Sequence, residues 1–226
     1  MTPDASVQER LAGLQDRVAA ACREAGREPT EVQLIAVSKT HPLETVERAA
    51  QTGQLHFGES YAQELRDKGR ARPDLSWHFI GRLQTNKARY IAPQAFRVHA
   101  LERLDHAQAL AKRATGPLRC LVAVNVGGEV SKGGVAPDDA LDAVRSLGGV
   151  PGIEICGLMT LPPATPRPED AAPYFEQLAD LAAAGRRQGL PLHELSMGMS
   201  RDFEVAIAYG ATWIRVGTAI FGPRTR

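Results

Sequence analysis

Neither sign of charge dominates this chain of 226 residues: 27 Lys plus Arg stand against 26 Asp plus Glu, and the cations form no long run. An electrostatic footprint for nucleic acid or for an anionic membrane is therefore missing, because both need clustered basic side chains. Long apolar runs are missing too. Nothing approaches the roughly 18 consecutive apolar residues of a membrane span, and the opening MTPDASVQERL is polar where a secretory signal would carry an apolar segment. These absences point to a cytoplasmic protein with small-molecule partners, a monomer for want of any apolar seam. Cysteine is scarce, and Cys22, Cys120 and Cys156 are an odd, widely spaced set with apolar neighbours. Such thiols suit a reduced core better than a disulfide frame or a zinc site. With 43% hydrophobic residues the chain has ample material for one enzyme-sized core, and residues 1–226 read as a single domain.

What is present is an alternation. Ser6 and Glu9 form a capping box, and Val7, Leu11, Leu14, Val18, Ala21 and Ala25 recur at helical spacing before Gly26, so the chain opens with a helix. Eight short apolar runs follow: VQLIAVSK (32–39), QLHFG (54–58), SWHFIG (76–81), FRVHAL (96–101), CLVAVNV (120–126), IEICGLMTL (153–161), ELSMG (194–198) and TWIRVGTAI (212–220). Helix-period segments lie between them, among them 42–52, 59–69, 103–114, 138–146, 169–187 and 201–209. Strand and helix in strict alternation mean a parallel sheet, and eight units close into a (β/α)8 TIM barrel. An open doubly wound sheet would use fewer strands and a glycine-rich first turn. The proline-rich loop 162–170 and the glycine-rich loop 125–135 both follow strand ends, on the face where barrel sites lie, and are candidate lids.

Lys39 ends the first of these strands and by period two shares a face with Ile35 and Val37, so it can point into the barrel mouth. A lysine there loses hydration, and the neutral amine this favours is what Schiff-base chemistry with an aldehyde needs. The alternative is a lysine snorkelling to solvent. At the other end of the chain, Ser200 reads as the N-cap of the helix after strand 7, and strand 8 ends in Gly217 and Thr218. Helix-start N–H groups, two hydroxyls and a close backbone approach would cradle phosphate after strands 7 and 8; an ordinary cap and tight turn is the plainer reading. Arg215 projects to the same side as Gly217, where it needs an acceptor or an internal salt bridge to Glu154 or Glu59. His78 reads as a packed histidine before it reads as a general base. Met159 and Met197, at the ends of strands 6 and 7, either line a ring's edge or fill the core.

The blocks AVSKTHP, HFGESYAQE, WHFIGRLQTNKAR, GLMTLP and SMGMSRDFEVAIAYGATWIRVGTAIFG resemble the pyridoxal phosphate homeostasis proteins, the YggS/PROSC family, over nearly the whole chain. The resemblance implies a fold-type III barrel like the N-terminal domain of alanine racemase, with pyridoxal 5'-phosphate carried as an aldimine on Lys39. It also implies phosphate contacts from Ser200, Gly217 and Thr218, with Arg215 facing the pyridine nitrogen. Where the family reads FGEN this chain reads FGES, so Ser60 offers a shorter side chain with one donor in place of a paired amide. Ser60 and Met197 are expected as neighbours of the cofactor.

Two functions fit that cofactor. The first is a carrier that buffers a reactive aldehyde and hands it to apo-enzymes, with no robust catalysis of its own. The second is an alanine-racemase-like enzyme on amino acids, which takes an opposite-face acid from an added domain; the sequence ends four residues after Gly222, with no such domain in view. A Schiff-base aldolase on a phosphosugar would also need a lysine and a phosphate cradle, and the family blocks argue against it.

Overall fold

The computed structural model describes residues 6–129 and 132–222. Eight parallel strands close into one barrel in the order β1 to β8: β1 (Gln33–Val37), β2 (His56–Glu59), β3 (Ser76–Phe79), β4 (Arg97–Leu101), β5 (Leu118–Ala123), β6 (Ile153–Met159), β7 (Glu194–Ser196) and β8 (Trp213–Val216). Closure comes from β1 pairing with β8, Ile35 opposite Arg215 and Ala36 opposite Val216. Helices α1 (Val7–Glu24), α2 (Leu43–Ala50), α3 (Ala62–Ala71), α4 (Ala88–Ile91), α5 (Leu104–Ala111), α6 (Ala140–Gly148), α7 (Ala172–Arg187), α8 (Phe203–Ala208) and α9 (Thr218–Phe221) complete the chain. All eight strands and the extra N-terminal helix fall where the apolar periodicity puts them.

The capping box at α1 is formed: the Glu9 N–H donates to Ser6 Oγ and the Ser6 N–H to Glu9 Oε2, at 3.2 and 2.7 Å. Its apolar stripe, Leu11, Leu14 and Cys22 among it, is fully buried, and the helix packs against α8 and α9. Burying a leucine side chain contributes about 1.5–3 kcal/mol, so this stripe holds the helix against the barrel far more firmly than its caps do. Arg10 fastens the same helix to the carbonyl of Ile220 at 2.6 Å. Cys22 and Cys120 are buried and Cys156 half-buried, all as free thiols, in keeping with core packing.

Four boundaries differ from the sequence pattern. Strand β8 stops at Val216; Gly217 turns the chain and Thr218 begins α9, so the run to 220 is strand and then helix. Glu59 ends β2 instead of opening a helix, because its side chain is buried against α3. The short helix α4 has too few periodic positions to show in the sequence. Ser200 is not a cap: the residue before α8 is Asp202, whose Oδ1 accepts from the Met199 N–H at 2.6 Å and closes the turn on itself.

The barrel interior is polar as well as apolar. His99 on β4 meets Ser196 on β7, and Arg97 on β4 pairs with Glu194 on β7, strands that are not neighbours in the sheet. Those contacts therefore cross the barrel.

Candidate functional site

Lys39 leaves the barrel on a short, constrained turn. Beyond β1 the Ser38 N–H still donates to the Gly58 carbonyl at 3.0 Å, and the His41 N–H closes back on the Ser38 carbonyl at 3.1 Å. Between them Thr40 has φ +65°, the only non-glycine among the described residues in the left-handed region. A conformation of that kind costs of order 1–3 kcal/mol and persists only where its surroundings hold it.

What holds it is a buried cluster on α3. Lys68 spends its three N–H donors on the Ser38 carbonyl at 2.9 Å, Glu59 Oε1 at 2.7 Å and Glu64 Oε2 at 3.0 Å. Glu64 Oε2 also accepts from the Thr40 N–H at 2.9 Å, and Ser38 Oγ donates to Glu59 Oε1 at 2.7 Å. The residues on both sides of Lys39 are thus tied to one ammonium. Glu59 is fully buried, and its second oxygen has no partner among the described residues. Burial pushes its carboxyl up to about 7, against the opposing pull of Lys68.

On the inner side of the same strand end lies a cavity of about 180 Å³, with Lys39, Ser60, Ser200, Arg215, Gly217 and Thr218 on its walls. These are six of the seven side chains singled out by sequence. The seventh, Met197, is not there. It is fully buried in the hydrophobic core, because Ser196 is the residue of β7 that points inward; the thioether on the cavity wall belongs to Met199. Sequence reasoning also missed Val37, Ile80 and Leu161, apolar walls whose only signal was their place at strand ends, and His41, whose ring packs on Phe221 with centroids 5.1 Å apart.

Arg215 sits at the base of this cavity. Its Nη2 donates to the Thr160 carbonyl at 2.8 Å and its Nη1 to Ser196 Oγ, and no carboxylate among the described residues makes an ion pair with it. Glu154 instead pairs with Arg119 on the surface and Glu59 with Lys68. Burial lowers the guanidinium to about 10, partly offset by the charge of Asp202. The opposite wall is built from backbone. A Cβ on Gly217 would lie 3.1 Å from the Val37 carbonyl, so glycine lets β8 turn close to β1 without pressing on it. In the first turn of α9 the N–H groups of Ile220 and Phe221 donate to the Gly217 carbonyl at 2.8 and 2.9 Å, and those of Thr218 and Ala219 lie ahead of any intrahelical acceptor. Gly81 plays a similar part beside Ser60, where a Cβ would meet the Ser60 carbonyl at 2.1 Å.

An adjoining cavity of about 500 Å³ shares Leu161, Met199, Ser200 and Thr218 with the first and runs under the proline-rich loop. Lys132 ties the two candidate lid loops together: its Nζ donates to the Pro162 carbonyl at 2.9 Å and pairs with Glu129. Residues 130 and 131 of the glycine-rich loop lie outside the described residues.

An amine, a buried guanidinium with no carboxylate in ion-pair contact among the described residues, the hydroxyls of Ser60, Ser200 and Thr218 and the backbone at the start of α9 meet at one cavity and form a donor set for an anionic, carbonyl-bearing ligand. Pyridoxal phosphate fits these residues, since the amine can meet its aldehyde and the hydroxyls and amides its phosphate. Fold and site together define a (β/α)8 barrel of the alanine racemase N-terminal domain type, and the family model of that description matches residues 10–225. The chain is 42% identical to the pyridoxal phosphate homeostasis protein of Aquifex aeolicus over 96% of its own length and 97% of the relative's. It is also 42% identical to the protein of that name from Pseudomonas aeruginosa, over 97% and 96%. Among solved structures, PipY of Synechococcus elongatus PCC7942 with pyridoxal phosphate bound superposes with a TM-score of 0.83 at 35% identity, covering 96% of this chain and 100% of PipY. The chain belongs to the pyridoxal phosphate homeostasis protein family.

Proposed function

We propose that this protein binds pyridoxal 5'-phosphate in the cavity at the C-terminal end of the barrel and serves as a carrier that buffers the cofactor and delivers it to apo-enzymes. The convergence of Lys39, Arg215, Ser200 and Thr218 on that single cavity carries the reading, and the bound ligand of PipY supports it. The cofactor supplies an aldehyde. The amine of Lys39 would hold that aldehyde reversibly, and Ser200 and Thr218 would hold the phosphate.

The chain's own residues suit holding better than turnover. Arg215 only donates hydrogen bonds, so a guanidinium placed at the pyridine nitrogen keeps that nitrogen unprotonated and its ring a weaker electron sink. Pure protein loaded with pyridoxal phosphate is expected to restore activity to an apo-enzyme mixed with it, and to show no racemase, decarboxylase or transaminase activity above that of free cofactor. Robust turnover of an amino acid, lost in Lys39→Ala, would make this an enzyme.

The phosphate contacts are tested separately. Replacing both Ser200 and Thr218 with alanine is expected to weaken pyridoxal phosphate by at least ~10-fold while barely changing unphosphorylated pyridoxal, because a hydrogen bond to a charged group is worth about 1.5–3 kcal/mol. Equal losses for the two ligands, measured by equilibrium titration, would reduce both residues to turn-formers.

A further inference from the structure

Three histidines run along the barrel interior in hydrogen-bond contact. His56 Nδ1 lies 3.1 Å from His78 Nε2, His78 Nδ1 lies 2.8 Å from His99 Nε2, and His99 Nδ1 lies 2.8 Å from Ser196 Oγ. Ser196 Oγ in turn accepts from Arg215 Nη1 at the cavity. His78, His99 and Ser196 are fully buried, and His56 is half-buried at the N-terminal end of β2. Trp213 packs against the rings of His56 and His78, with centroids 5.1 and 4.9 Å apart. The charge of nearby Arg97 is taken up by Glu194, its ion-pair partner.

Proton bookkeeping fixes the direction of this path. Arg215 can only donate, so the Ser196 hydroxyl proton has one acceptor among the described residues, His99 Nδ1. His99 must then carry its proton on Nε2 and give it to His78 Nδ1, and His78 must do the same toward His56. Reversing the order would strand the Ser196 proton in a fully buried place. Burial, with the neighbouring cations, holds both His78 and His99 well below the usual imidazole range, which keeps each ring at one proton.

We propose that Ser196, His99, His78 and His56 form one unidirectional hydrogen-bond wire, every ring protonated on Nε2, and that its Ser196 end positions Arg215 in the cofactor cavity. The positioning half rests on the pyridoxal phosphate reading above; the tautomers do not. Presented with an oxygen lone pair that cannot turn away, the guanidinium is held without a carboxylate, which would otherwise draw it off the ligand.

The test uses the full chain, labelled with ¹⁵N and free of ligand, at neutral pH. Long-range ¹H–¹⁵N spectra should show all three rings as Nε2–H tautomers; an Nδ1–H ring, or tautomers averaging at any of the three, overturns the wire. In Ser196→Ala the His99 ring should lose its single tautomer, pyridoxal phosphate should bind about tenfold more weakly and the visible band of the bound cofactor should shift; Ser196→Thr should recover all three. Unchanged binding and band position in Ser196→Ala would end the positioning role. If Ser196→Ala does not fold, Ser196→Cys, nearly the same size with a much weaker hydrogen bond, is read the same way. Wild-type protein that binds no pyridoxal phosphate defeats the functional reading and with it the positioning role, while the ring tautomers are judged on the unliganded spectra alone.

Discussion

Replacing Lys39 with alanine is expected to abolish covalent capture of pyridoxal phosphate. Borohydride reduction of wild-type protein should fix a stoichiometric label on the peptide containing Lys39, and the variant should retain only background. The expectation follows from which amines can reach the cavity. Lys39 is on its wall, flanked by backbone tied to Lys68, so its approach is set before any ligand arrives. Lys132 lines the adjoining cavity, but its ammonium is engaged by the Pro162 carbonyl and Glu129. Losing the amine should not remove the phosphate contacts, so Lys39→Ala should still bind the cofactor weakly and reversibly. Label found on Lys132 instead, by peptide mapping, would put the primary site in the wrong cavity.

A second large effect is expected from Lys68→Met, at a position off the wall of the cavity that Lys39 lines. The variant should lose about 3–5 kcal/mol of stability, the usual cost of breaking a buried ion pair and stranding its partner. That is a substantial share of the roughly 5–15 kcal/mol that holds a typical domain. The cost should also depend on pH. The folded-state pKa of Glu59 lies near 7, above the ordinary 4.5, so the stabilisation it gives is complete below about 4.5 and is lost as pH rises through about 7. Without Lys68 the carboxylate has even less to offset its burial, so the variant should suffer less at pH 5 than at pH 8. Urea midpoints of both proteins at the two pH values decide it. A cost under about 1 kcal/mol at both would mean the cluster behaves as an exposed, screened pair.

Much of this was legible in the sequence, and what was not has identifiable causes. Lys39 and Arg215 could be read because each sits at the end of an apolar run whose period of two fixes its side, and Gly217 and Thr218 because they close the last such run. Glu64 and Lys68 could not. An i,i+4 acid and base on a polar helix is the ordinary pattern of a solvated face, and only the fold reveals that Glu59 sits beneath them. The choice of Met197 failed for the opposite reason: apolar-inward is the usual rule for a strand, and β7 breaks it by sending Ser196 to the interior. His56 and His99 were passed over because single histidines in strands carry no spacing signal. Their meaning lies in a line of contacts across successive strands.

Gly81 bears on how variable this pocket can be. Its lack of a side chain lets the backbone after β3 rest directly against the carbonyl of Ser60, so position 60 is located by main chain on main chain. The side chain there is then a free choice, and serine in place of an amide alters what is offered to a ligand without altering where it is offered from. Chemistry at that wall can drift one residue at a time, while any residue larger than glycine at 81 would move the wall itself.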